Sequence, residues 1–156
     1  MLVSLYRVKL HLRVTSDDED VTIGIYAMAA EHAALSYIDR KVYATQAELT
    51  AAITAAPGAF AAAVLAYNAA IDAAYLLTDE HETREAVRVA CLAFDLSRIT
   101  ARQTHDGIVV NDAIVAAILL TTGHLYANRE NSVMGVNIST LPNGADSLLM
   151  PYRVFA

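Results

Sequence analysis

Apolar positions recur at helical spacing along most of this chain. Between Asp18–Asp20 and about Arg40, the residues Val21, Ile25, Met28, Leu35 and Ile38 share one face, with His32 among them. That spacing predicts a helix buried on this side. Just upstream, Thr15-Ser16-Asp17-Asp18-Glu19-Asp20 is an acidic turn. Carboxylates suit a helix N-terminus, where unpaired N–H groups and the dipole favour negative charge by roughly 0.3–1 kcal/mol each. The middle of the chain predicts three helical pieces. Thr45 with Glu48 makes a capping box for a helix to about Ala56. Pro57 suits the first turn of a second helix, to about Leu77, and Thr78 or Asp79 caps a third, to about Gln103. Along that third piece Arg84, Glu85, Arg88, Asp95, Arg98 and Arg102 form a narrow polar stripe. The rest of it is apolar, so cover on more than one side is expected. Thr104-His105-Asp106-Gly107 reads as a turn, and Asn111 caps a final long helix to about Asn131. Beyond it, Gly135 to Thr140 reads as extended, Pro142 opens a short helical turn and Pro151 ends it.

Only the opening is ambiguous. Val8, Leu10, Leu12 and Val14 alternate with Arg7, Lys9, His11 and Arg13, a strand pattern. Leu5, Val8 and Leu12 also fit one helix face behind a Ser4 N-cap. On pattern alone the strand is slightly favoured.

Length and composition narrow the class. A chain of 156 residues is one domain by length and can bury a usable core. Its apolar fraction of 56% is supplied largely by alanine, and there is no Trp and only three Phe. Closely packed helices follow, with some burial supplied by other copies of the chain. A net charge of −6 with eleven basic residues and no basic run argues against gripping phosphate backbones. Cys91 stands alone, which excludes an internal disulfide, fits a reducing interior and reads as a small buried hydrophobe. No signal peptide is visible in Met1 to Val14, where charges interrupt the apolar positions. Leu49 to Ile71 carries no charge and is long enough to raise a transmembrane question. Pro57-Gly58 splits that run, Asn68 interrupts it and eleven of its 23 residues are Ala, so soluble helices and no membrane are expected.

Little in the chain points to reaction chemistry. His81-Glu82-Thr83-Arg84-Glu85 begins like a zinc-protease motif but has Glu85 where the second histidine ligand belongs. His105-Asp106 is an acid/base pair without a nucleophile or phosphate loop. None of the five histidines has an acidic residue three positions earlier, so the Glu-x-x-His signature of di-iron bundles is missing. His32 reads as a hydrogen-bonded core or interface histidine. Asp17 to Asp20 lack the Gly and downstream Glu of an EF-hand loop and read as a solvated helix start. No metal, cofactor or catalytic residue is assigned, and the chain is read as a non-enzyme.

Two segments together carry a resemblance. Lys9-Leu10-His11-Leu12-Arg13-Val14, followed by the acidic turn, opens the chain. Near its end an apolar helix closes on Tyr126, Asn128, Arg129 and Glu130, and a tail follows with Leu141, Pro142, Gly144, Leu148, Leu149, Tyr152 and Arg153. In these residues the chain resembles the head-tail connector (adaptor, or head-completion) proteins of tailed bacteriophages. The resemblance covers about 1–42 and 108–153. The middle, about 43–106, departs from compact members and looks like an inserted helical hairpin in a single connector domain spanning 1–156.

The resemblance implies an all-α fold of about five to six helices with a short extended or helical tail, and a helix rather than a strand at 4–14. It implies a virion structural protein of the neck, made and assembled in the host cytoplasm. Such proteins form a ring of about twelve subunits beneath the portal protein, extend the DNA channel and meet the next neck or tail protein. DNA would pass through without specific binding, and an acidic lumen would let it slide; Asp17, Asp18, Glu19 and Asp20 are the candidates. Assembly contacts fall to Lys9, Leu12, Arg13, to Tyr126, Asn128, Arg129 and Glu130 at the helix end, and to the tail residues named above. In particular, Leu148, Leu149 and Tyr152 would dock apolar surface, and Arg129 with Glu130 or Arg153 would set a polar contact. The competing readings are a small helical nucleic-acid-binding packaging or regulatory protein, another neck or tail-completion protein, and a helical metal protein or enzyme using His81, Glu85, His105 and Asp106.

Overall fold

A computed structural model describes residues 1–128 and 144–154. In chain order the elements are α1 (Leu5–Leu12), α2 (Asp20–Ile38), β1 (Val42–Tyr43), α3 (Gln46–Ala74), α4 (Glu80–His105), β2 (Ile108–Val109), α5 (Asp112–Ala127) and α6 (Ala145–Leu149), closed by a 3-10 turn, Met150–Tyr152. The described residues thus form an all-α protein with six helices and a helical tail. The chain divides into two compact units, 1–44 with 108–156, and 45–107.

The first unit holds the principal core. Ile23, Ala27, Ala30, Ala34 and Ile38 of α2 are buried with Ile114, Val115, Ala117 and Ile118 of α5, joined by Val3, Val8 and Leu149. Of the face expected from the pattern, Ile38 is buried and Leu35 packs against the core, but the rest is corrected. Val21, Ile25 and Met28 are exposed, as is His32, which is no core histidine in this chain. The alanines let α2 approach α5 closely, and the isoleucines of α5 fill the space; larger side chains on that face of α2 would hold the helices apart. Two short strands tie the chain together beside this core. They pair in parallel, Val42 with Ile108 and Tyr43 with Val109.

At 4–14 the structure has a helix, so the strand pattern is overruled. Ser4 Oγ accepts from the Arg7 amide, and the helix ends with Arg13 in the left-handed region at φ 59°. The amide of Arg13 bonds to the Leu10 carbonyl and that of Val14 to the Lys9 carbonyl, a Schellman closure.

The second unit is a helical hairpin. Thr45 Oγ1 accepts from the Glu48 amide, Asp79 Oδ1 accepts from the Glu82 amide, and Phe60, Tyr67 and Phe94 stack between the helices with centroids 4.8–5.9 Å apart. Cys91 is half-buried, its sulfur 3.9 Å from the Tyr67 hydroxyl. Two expectations are corrected here. The pieces divided at Pro57 are one continuous helix, α3, with Pro57 in its interior. Pro57 sits on an exposed face, where water can take the carbonyl its missing N–H leaves free, and alanines on both sides favour continuation. The helix α4 is not covered on several sides. Val89, Leu92, Leu96 and Ile99 stay 45–65% exposed, because two helices share only one mutual face. By length and composition alone α3 could cross a membrane, with 6% of its most apolar window buried.

Candidate assembly surface

The segments that carry the resemblance lie in the first unit, and the structure brings several of their residues together. Lys9, on α1, reaches the acidic turn: its Nζ lies 2.5 Å from Asp17 Oδ1 and 2.6 Å from Asp20 Oδ1. The Asp17 carboxylate, then that of Asp20, raises the Lys9 pKa above its ordinary value, and the Lys9 hydrogen bond lowers that of Asp17. Ser16 donates to Asp18 at 2.5 Å. The hydroxyl of Tyr126, at the end of α5, donates to Glu19 Oε2 at 2.5 Å across 107 residues of sequence. The two resembling segments are therefore bonded to each other. Asn128 stays at its own helix end, where Nδ2 donates to the His124 carbonyl at 3.0 Å.

The tail lies on the same unit. Leu149 is buried, and Leu148 and Tyr152 pack half-buried against the core, as does Leu12 from α1. Gly144 is the N-cap of α6. The Arg153 guanidinium lies 5.1 Å from the centre of the Tyr37 ring, a cation–π contact, and the Val154 amide bonds to the Ile38 carbonyl at 3.0 Å. Arg129, Glu130, Leu141 and Pro142 fall outside the described residues, as does the extended stretch expected at 135–140, whereas the helical turn expected between Pro142 and Pro151 is present as α6 and the 3-10 turn Met150–Tyr152.

Of the four acidic candidates, Asp17 and Asp18 are exposed, whereas Glu19 and Asp20 are half-buried beside Tyr126 and Lys9. Sequence reasoning did not find the Tyr126–Glu19 and Tyr37–Arg153 contacts. It also missed Glu31, whose carboxylate accepts from the Leu2 amide at 2.6 Å and lies 3.8 Å from the terminal ammonium. Pairs so distant in the chain leave no local signal.

The residues weighed for chemistry form two separate pairs, His81 with Glu85 in the first turns of α4 and His105 with Asp106 at its end. Glu85 is bonded to Arg88, which lowers its pKa, and it lies on an exposed face of α4. His105 Nδ1 lies 3.4 Å from Asp106 at the helix end. Among the described residues no three His, Cys, Asp or Glu side chains converge on a metal-sized site.

What the arrangement offers is a small helical core with a docked tail and ionic clasps. A family model described as phage gp6-like head-tail connector protein matches residues 3–70. The likeness to the head-tail connectors read from the opening of the chain is thereby borne out, and the match supports a structural role in the phage neck. The matched stretch takes in α1, α2 and most of α3; the tail resemblance, 108–153, lies beyond it. No curated protein and no solved structure matches the chain significantly.

Proposed function

We propose that this chain is a virion structural protein that assembles as a closed ring beneath the portal, joins the DNA-filled head to the tail and extends the DNA channel. The observation that carries the reading is the connector match over 3–70, which takes in α1 and α2 of the first unit. The hairpin of α3 and α4 extends the connector domain; because the match reaches residue 70, its first helix aligns in part with the family. Cytoplasmic assembly in the host and a downstream neck or tail protein on the far side complete the reading. No membrane, cofactor or catalysis enters it.

The net charge of −6 supports a channel that repels DNA and lets it slide. Asp17 and Asp18, exposed at the acidic turn, are the residues proposed to face the lumen, with Glu19 and Asp20 holding the turn from behind. Lys9 and Arg13 at the end of α1, and Arg129, Glu130 and Arg153 near the tail, are proposed to set polar contacts in the assembled neck. Leu12, Leu148, Leu149 and Tyr152 hold the surface that presents them.

The test is the native mass of the full chain with and without its portal protein. A closed ring of about twelve subunits, or a monomer that joins the portal in that number, is the expected result. A chain that neither forms a ring nor binds the portal contradicts the proposal. Within an assembling system, Arg129→Ala should impair joining of head to tail, and Asp17→Asn with Asp18→Asn should slow DNA ejection.

A further inference from the structure

We propose that the α3–α4 hairpin pairs face to face with the hairpin of a second copy, the two α4 helices antiparallel. The inference goes beyond the ring reading and does not rest on it. Every residue it uses lies within the second unit. Alanines along both helices leave an open trough of about 840 Å³ on one face of the hairpin. Ala66, Ala70 and Ala73 of α3 and Ala86 and Ala93 of α4 line it, beside the Tyr67–Phe94 stack. Next to the trough α4 carries a ridge. Val89, Leu92, Leu96 and Ile99 follow one another at steps of three, four and three residues, the seam spacing of a coiled coil. These four side chains are 45–65% exposed. A row of large side chains beside a row of small ones complements itself when the surface is turned onto its copy. The helix α4 is one wall of the trough, so its own ridge cannot enter it. A second copy of the chain brings that ridge.

Charge sets the direction. Asp79, Glu80, Glu82 and Glu85 against Arg84 give the start of α4 a net charge of −3 over 79–85. Arg88, Arg98 and Arg102 against Asp95 give +2 over 86–105. Antiparallel helices set the acidic start of each α4 against the basic remainder of the other, whereas parallel ones oppose acid to acid. Val89 then meets Ile99 of the second copy, and Leu92 meets its Leu96. The area agrees as well, since α4 has 26 residues. A helix of that length in a hairpin presents a face of roughly 40 Å by 20 Å, near the ~800 Å² that each partner gives to a stable interface. Such a contact is two-fold: it closes on two copies and does not repeat around a ring. It therefore holds free chains in pairs and leaves the contacts around a ring to other surfaces.

Two experiments on the full chain test this. In sedimentation, Leu96→Glu on the ridge and Ala70→Phe in the trough should each weaken pairing by about tenfold or more. Leu65→Glu, exposed on α3 but outside the trough, should leave pairing as it is, with the helical circular dichroism unchanged in all three. In a Cys91→Ser background, a chain with Leu92→Cys is mixed with a tagged chain with Leu96→Cys and oxidised. Disulfides between unlike chains should outnumber those between like chains. Like pairs in excess would mean parallel helices and overturn the arrangement. A Leu65→Glu effect as large as that of Leu96→Glu would place the contact on another face and overturn it too. A full chain that stays monomeric at every concentration, or a pairing that neither Leu96→Glu nor Ala70→Phe disturbs, overturns the proposal. Those outcomes leave the ring reading to its own test, which is binding to the portal.

Discussion

The clasp between α1 and the acidic turn rests on one amino group. Lys9 Nζ holds two carboxylates, and its side chain is 14% exposed while that of Asp17 is 88% exposed. Linkage fixes the sign of its pH dependence. The Asp17 pKa is depressed, so its contribution is present above the ordinary 3.8 and is lost as pH falls through the lowered value. The Lys9 pKa is raised, so its contribution is present below 10.5 and is lost as pH rises through the higher value. Lys9→Met should therefore lower the melting temperature on the plateau between these limits, and the gap to the parent should close below pH 3.8. A gap that persists in acid would show that Lys9 acts by packing alone. Tyr126→Phe removes the hydroxyl from Glu19 while keeping the ring. A loss of about 1 kcal/mol in denaturant unfolding is expected; an unchanged midpoint would mean that water replaces the hydroxyl at no cost. At this scale the local grammar was legible: Ser4, Thr45, Asp79 and Asn111 each accept the amide three residues on, as cap residues at those positions should. Contacts such as Tyr126–Glu19 were not, because they depend on how the helices come together.

At the scale of elements, existence was legible and faces were not. The periodicity placed α2, α4 and α5 nearly where they lie, but weighting by side-chain size put Val21, Ile25 and Met28 on the buried side of α2, where only Leu35 and Ile38 of the expected stripe meet the core. The buried positions of α2, Ile23, Ala27, Ala30, Ala34 and Ile38, have the helical spacing equally well. Alanine in such numbers makes several faces plausible, and only the partner helix decides among them. Pro57 misled for a related reason, since its exposed position lets α3 run through it. Each of these helices carries a residue that its own packing does not require. A Cβ added at Gly24 or at Gly58 would meet nothing within 4 Å. In the isolated chain Gly24→Ala should then stabilise by about 1 kcal/mol, and Pro57→Ala by up to about 3 kcal/mol. Calorimetry of the two variants checks both. A destabilising Gly24→Ala would show that a close neighbour, such as a second copy, already occupies that face.

For the whole molecule, the two ends of the chain together carried the resemblance, and the match bears on the opening one. Lys9 to Val14 with the acidic turn pointed to the connectors, and the match over 3–70 agrees with it. The helical class was legible because alanine and period 3.6 leave few alternatives. The division into two units follows from the same pattern, since a hairpin of two long helices has a mutual face of its own. What a single chain cannot satisfy is the apolar surface left over: Leu92, Leu96, Tyr75 and Leu76 on the hairpin, and Tyr6, Leu10, Val21 and Ile25 on the first unit, all more than half exposed. The assembly proposed above would give such groups a partner to pack against. The central claim is tested most directly by locating the chain in the virus, by cryo-electron microscopy of the neck of the parent virion with the chain's copies counted by quantitative mass spectrometry. A closed ring of this chain between the portal and the first tail protein, about twelve copies per particle, is the predicted result. A chain missing from the virion, or found in the capsid shell or along the tail tube, would contradict it.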